Sequence, residues 1–303
     1  MPMNIELASP VDCLCDFTYD FYWQHMGKRL VPSEKIPGQK RTSYTYEELV
    51  SSLKRGEDVH IKGNVGKRLG SSLGVDLVFF GGTGKPLNVG SIFVDGNVDT
   101  RMGISMVSGT IYVKGEVKQP IGNVIEVVSD REGYRKYCSI TGLLQNMTCE
   151  IVALPNMLSK ETICINDGLI RDTIAARLDS NATIIVKGNA GMSTGILMKR
   201  GTVHIHGDSG MNTGVLMTGG VLTVCDTEEF AGTYMKGGDI VIRGKAKGYV
   251  GANMKGGAIY LKGKAMPVQV PLDENDIKFL VKLLRISQMQ VMMFKKYSIL
   301  EKS

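Results

Sequence analysis

Proline, aromatic residues and clustered charge are all scarce in this 303-residue chain. Nine Pro beside 43% hydrophobic residues exclude a collagen-like or disordered low-complexity polypeptide. Aromatics make up 7%, and they are not interleaved with basic residues as base-stacking platforms require. The formal charge of +6 arises from 36 Lys+Arg against 30 Asp+Glu, spread without a block of like charge, so no nucleic-acid groove is expected. The six Cys (Cys13, Cys15, Cys138, Cys149, Cys164, Cys225) are too scattered for a disulfide scaffold, and a reducing compartment fits them. No apolar run is long enough to span a bilayer, and Met1 to Pro10 lacks the basic start and apolar stretch of a signal peptide. A cytoplasmic protein with neither nucleic-acid nor membrane partners is expected.

Glycine and methionine are abundant, at 37 and 17 residues. Their placement is periodic. Thr183 to Gly201 reads TIIVKGNAGMSTGILMKRG and Thr202 to Gly220 reads TVHIHGDSGMNTGVLMTGG, and the unit continues from Val221, Asp239 and Ala258 at a spacing of 18 to 19 residues. Three glycine columns fall in register: Gly188, Gly207, Gly244 and Gly263, with Asp226 standing in at the shortened copy; Gly195, Gly214, Gly232 and Gly251; and Gly201, Gly220, Gly238 and Gly257. Worn copies open at His60, Ser91 and Thr110.

Each unit begins with a short alternating strand, such as Ile184/Val186, Val203/Ile205 and Ile92/Val94, whose apolar residues share one face. Identical units do not reverse direction, so the repeat predicts a parallel β-helix of roughly seven or eight coils. The glycines then mark turns with positive φ or close backbone approach. Met106, Met198, Met217, Met235 and Met254, each in G-x-x-M-x-x-G, predict an internal ladder.

The expected organisation is an N-terminal extension over residues 1–56, a β-helix over 57–265 interrupted at about 129–160, and a C-terminal capping helix and tail over 266–303. Thr45 followed by Glu48 predicts a capped helix that stops at Gly56. Ile277, Leu280, Val281 and Leu284 have helical spacing.

Several motifs with chemical associations fail their structural context. Gly70 to Gly74 (GSSLG) and Gly191 to Gly195 (GMSTG) match G-x-S-x-G but sit in repeat turns, not in a strand-to-helix elbow. Gly81 to Lys85 (GGTGK) has Phe79 where a phosphate loop has its first glycine, and Pro86 follows the lysine. Cys13 and Cys15 form a lone C-x-C. His204 and His206 leave one strand face, with His206 placed in a column with Lys187, Cys225, Arg243 and Lys262. That column reads as a basic ladder that meets an acidic partner or as a solvated face, with zinc requiring more ligands than the sequence supplies.

The neighbouring outward column holds Phe93, Tyr112, Ile185, His204, Thr223, Val241 and Tyr260, several of them large apolar groups where water is expected. It reads either as a docking interface or as a face covered by the chain's own terminal segments, residues 1–56 with Tyr19 and Trp23 among them.

These units, especially GTYMKGGDIVIRGKAKGYVGANMKGGAIYLKGKA from Gly232, resemble the glycine-repeat (GXGXG) right-handed β-helix found in archaeal formylmethanofuran dehydrogenase, as one of its subunits, and at the C-terminal end of the large chain of glutamate synthase. The resemblance covers roughly residues 57–265. The segment from Gly90 to Tyr137 is similar to the dehydrogenase protein, whereas the tail LDENDIKFLVKLL is similar to stand-alone archaeal glutamate synthase domains. The resemblance implies a structural subunit without catalytic residues, cofactors or metal of its own. In the dehydrogenase, other subunits carry the tungsten or molybdenum pterin and the iron-sulfur clusters that fix carbon dioxide on methanofuran. The expected function is therefore a non-catalytic subunit of such a complex, with other protein subunits as partners. The alternatives are a detached glutamate synthase domain and a scaffold of another archaeal assembly.

Overall fold

The computed structural model describes residues 2–19, 31–78, 81–146, 150–263 and 268–298. Strands and turns dominate, and the chain is a β-solenoid of about nine turns, a parallel β-helix as the repeat predicts. It divides into two compact units, Met1–Lys160 with Leu169–Ala176, and Glu161–Gly168 with Arg177–Ser303.

The first unit contains β1 (Met3–Leu7), β2 (Gln39–Lys40), α1 (Tyr46–Lys54), β3 (Val59–Lys62), β4 (Ile92–Asp95), β5 (Thr110–Val113), β6 (Val124–Val127), β7 (Arg135–Ser139), α2 (Ile140–Asn146) and β8 (Met157–Ser159). Strands β1, β3, β4 and β5 are successive parallel neighbours, after which β7 adds antiparallel and β6 pairs with it. The solenoid thus begins inside the expected extension: Ile5 and Leu7 alternate inward like the later coil strands and are buried. Helix α1 carries the expected Thr45/Glu48 capping box, and Gly56 follows with φ +80°.

The second unit contains β9 (Thr162–Ile165), β10 (Thr183–Val186), β11 (Thr202–Ile205), β12 (Thr218–Val224), β13 (Lys236–Ile242), β14 (Gly256–Leu261), β15 (Val268–Val270), α3 (Glu274–Leu284), α4 (Gln288–Val291) and β16 (Lys295–Ser298). From β9 to β14 all neighbours are parallel, with Ile163, Ile184, Val203, Leu222, Ile240 and Ile259 in register and buried. Strand β16 closes the ladder antiparallel to β14.

Met106, Met198, Met217, Met235 and Met254 are buried, as an internal ladder requires. They explain one glycine column. At Gly220, φ is +85° and a Cβ would sit 2.6 Å from the Met198 methyl of the preceding coil. Gly238 and Gly257 repeat this against Met217 and Met235, and Gly201 closes the same column with φ +97°. Gly195, Gly214, Gly232 and Gly251 also have positive φ.

The remaining column is not left-handed, since Gly188, Gly207, Gly244 and Gly263 lie outside that region. Gly207 and Gly244 are required by close approach instead, because a Cβ would strike the Asn189 and Asp226 side chains of the coil before.

Candidate functional site

Of the two readings of the outward column, the structure shows most of it covered by the chain's own segments and not exposed as an interface. Phe93, Tyr112, Thr223, Val241 and Tyr260 are buried, while Ile185 and His204 are half-buried. In the first unit His60, Phe93 and Tyr112 stack face to face at 4.5 Å between successive rings, with Tyr134 edge-on to the last two. In the second, Val241 and Tyr260 pack with Leu280, Val291 and Phe294 of the C-terminal segment. The cover comes from the 129–160 insertion and from the C-terminal elements. Tyr19 packs against the core of the first unit, and Trp23 lies outside the described residues.

Both covers use the same device. An antiparallel strand sets a lysine opposite the terminal tyrosine, Lys136 against Tyr112 and Lys296 against Tyr260. An aspartate bridges each pair. Tyr112 donates to Asp130 at 2.8 Å, and Lys136 contacts Asp130 at 3.2 Å and Glu150 at 2.8 Å. Tyr260 donates to Asp276 at 2.9 Å, and Lys296 reaches the same carboxylate at 2.8 Å. Burial, then the bond to Asp130, pushes the Tyr112 phenol up to about 12. For Lys136, burial favours the neutral form but is outweighed by Glu150 and Asp130, so its ammonium is held above the usual range. For Asp276, burial is likewise outweighed by Lys296, the Asp273 amide and Tyr260, which keep the carboxyl low.

A short coil shapes the other notable region. The turn after β12 lacks one residue, and the hydrogen bonds place Cys225, not Asp226, in the slot of Gly188, Gly207 and Gly244: the Cys225 amide donates to Gly207 O and the Gly244 amide to Cys225 O. Asp226 joins instead an Asx ladder that the repeat pattern did not disclose. Each Oδ1 accepts the amide of the next coil, from Asn189 to Asp208, Asp208 to Asp226 and Asp226 to Lys245, at 2.7–3.0 Å. Asn64 and Asn97 repeat it in the first unit. The signal was present as an Asn or Asp after the turn glycine, in GN and GD pairs. Ligand atoms of Asp208, Cys225 and Asp226 lie within 4.8 Å of one another, but both carboxylates already cap main-chain amides.

The missing residue leaves Ile205 O without its ladder partner, because the Cys225 amide skips ahead to Gly207. Arg243 fills the gap. Its Nη2 donates to Ile205 O at 2.8 Å and His206 O at 2.9 Å, and its Nε to Val224 O at 3.2 Å. Beside it His204 Nδ1 lies 3.0 Å from Thr223 Oγ1. Burial first, then the charges of His206 and Arg243, lower the His204 pKa; burial, Lys187 and Arg243 lower that of His206. Both rings are thereby shifted toward the neutral form. These groups border a groove of about 700 Å³, with β10 to β13 on one side and the last turns of α3 on the other.

An exposed apolar ridge stands elsewhere on the second unit, at a turn position that the alternating-strand pattern does not address. It holds Met211 (39% exposed), the half-buried Phe230 and Tyr249 (55% exposed), with the Phe230 and Tyr249 rings stacked at 4.9 Å. Tyr234 is 49% exposed. The sequence signal was a large apolar residue recurring at the coil period.

The other motifs are structural. Ser72 and Ser193 occupy left-handed turn positions. In the GGTGK loop the amide and hydroxyl of Thr83 already bind the Asp76 carboxylate. Cys13 and Cys15 are buried free thiols, and burial raises the pKa of each. Among the described residues no helix is long and apolar enough to cross a membrane.

Comparison with known proteins returns an uncharacterized protein of Methanothermobacter thermautotrophicus, 54% identical over 201 residues, which are 66% of this chain and 64% of that protein. The match thus spans less than two thirds of that relative's length. No protein-family model matches the chain, and no solved structure matches it.

Proposed function

We propose that the chain is a non-catalytic β-helical scaffold subunit of a formylmethanofuran dehydrogenase-like complex, whose tungsten or molybdenum pterin and iron-sulfur clusters reside on other subunits. The observation that carries this reading is the exposed Met211/Phe230/Tyr249 ridge on a parallel β-helix built from the glycine repeat. Stacked aromatics held rigid by coil turns supply contact area at low entropic cost, and exposed aromatic and methionine side chains are enriched where proteins dock. The 54% identical relative from a methanogen is consistent with that setting. A detached glutamate synthase domain is the second reading, favoured by the tail LDENDIKFLVKLL, which forms α3 with an Asp273 capping box.

Native affinity purification with mass spectrometry and metal analysis separates the two. Recovery with pterin and iron-sulfur subunits and bound tungsten or molybdenum is expected. Recovery with glutamate synthase pieces, or with neither, overturns the proposal. Phe230→Glu combined with Tyr249→Glu is expected to leave the far-ultraviolet spectrum unchanged and to reduce recovery of the partners; undiminished recovery removes the ridge as the interface.

A further inference from the structure

The groove between the coils and α3 is lined by cations that lack the partners found elsewhere. Many basic side chains of the molecule are paired, as in Arg135 with Glu126, Arg200 with Asp179 and Lys296 with Asp276. Arg243, Lys282 and Arg285 border this groove, and among the described residues no carboxylate lines it or forms an ion pair with them. Cations facing a partly enclosed, low-dielectric cleft focus positive potential on it.

Arg243 is also preorganised. Three carbonyl bonds occupy its Nε and Nη2, which fixes the guanidinium plane and leaves the Nη1 edge without a protein acceptor among the described residues. A positive fork held rigid by main chain loses little entropy when it meets an anion. Across from it, Phe279, Leu283 and Leu284 present the half-buried apolar face of α3 toward Ile185 and His204. A volume of about 700 Å³ lies within the usual range of small-molecule sites, roughly 300–1,000 Å³. The combination is an apolar slot flanked by cations, with His204 and Thr223 along its floor.

We propose that this groove binds a phosphorylated small molecule of nucleotide size, its flat apolar body between Phe279 and the Ile185/His204 floor and its phosphate between Arg243 and the Lys282/Arg285 pair. The assignment does not rest on the complex proposed above. Binding resides in one chain, and the partner ridge lies at other residues.

Isothermal titration of the full chain with ADP, adenosine and inorganic phosphate tests it. ADP binds one to one, and adenosine and phosphate each bind at least about tenfold more weakly. Lys282→Glu and Arg285→Glu alter exposed side chains, so circular dichroism and thermal unfolding stay at wild-type values while each weakens ADP by about tenfold. The proposal is overturned by absence of ADP binding at millimolar concentration, by binding that survives the double charge reversal, or by adenosine binding as tightly as ADP. A hexaglutamate peptide that binds where ADP does not, and is lost in the same variants, also overturns it, in favour of an acidic polypeptide.

Discussion

A single glycine shows how the repeat works at the scale of residues. Gly220 combines a left-handed φ with a position 2.6 Å from the Met198 methyl, so a side chain there is strained twice. Gly220→Ala is expected to cost roughly 1–3 kcal/mol, from the left-handed penalty and from displacement of a packed methionine. Chemical denaturation of variant and wild type measures it. Gly188→Ala is the control, since φ is ordinary there and nothing lies within 4 Å of the added Cβ. It should shift stability little. Arg243 makes the complementary point: the deletion in the coil before it is repaired by a side chain, not by main chain. Arg243→Leu leaves the Ile205 and His206 carbonyls unpartnered and should cost about 1–3 kcal/mol. Arg243→Lys should restore only part, because an ammonium lacks the fork that spans two carbonyls.

Elements matter most where the ladders end. An open strand edge invites further pairing, and β7 and β16 close the edges of β5 and β14. The closing bond is electrostatic. Asp276 has a carboxyl held below its ordinary value, so its stabilisation is full above the unfolded value near pH 4 and is lost as pH falls through the folded one. Asp239, raised by burial, runs the other way and favours the protonated form. Asp276→Asn should therefore cost about 2 kcal/mol of charge-assisted bonding at pH 7 and lower the melting temperature there. The gap between variant and wild type should close on acidification, as thermal unfolding from pH 7 to pH 3 would show. A gap independent of pH would mean that the carboxylate is not what holds β16.

These covering elements were only partly legible. The spacing of Ile277, Leu280, Val281 and Leu284 announces α3, because a helical face is a local pattern. That α3 covers Tyr260 was not legible, since the Tyr260 to Asp276 bond joins residues whose pairing depends on the intervening fold. The coil that begins at β9 lies within the expected β-helix but carries no repeat signature: Ala175 and Arg177 take left-handed turn conformations there without glycine. Glycine counting cannot see such turns.

Within each unit, coils contact chiefly their neighbours, and stability in such solenoids is approximately a sum of coil and interface terms. Deleting Thr202 to Gly220, one full period, should join Gly201 to Val221 with the inward register of Ile184 and Leu222 intact. A folded protein with unchanged strand signature and a reduced melting temperature is expected by circular dichroism. Loss of cooperative unfolding would show that this coil is not modular. The same deletion removes His204 and the Ile205 and His206 carbonyls that hold Arg243, and should abolish ADP binding.

Local period is enough to specify the parallel β-helix, the inward strand residues, the methionine ladder and the capped helices α1 and α3. Alternation buries one strand face, and turns that demand positive φ or close approach select glycine at fixed intervals, so both can be read along the chain. What the outward column does is settled only in the folded protein. Phe93, Tyr112, Val241 and Tyr260 look solvent-facing from any one coil. They are buried because segments outside their own coils fold back and bring Asp130, Lys136, Asp276 and Lys296 onto them. Only that folding back leaves Ile185 and His204 open beside Arg243, and so only the folded chain creates the cationic groove.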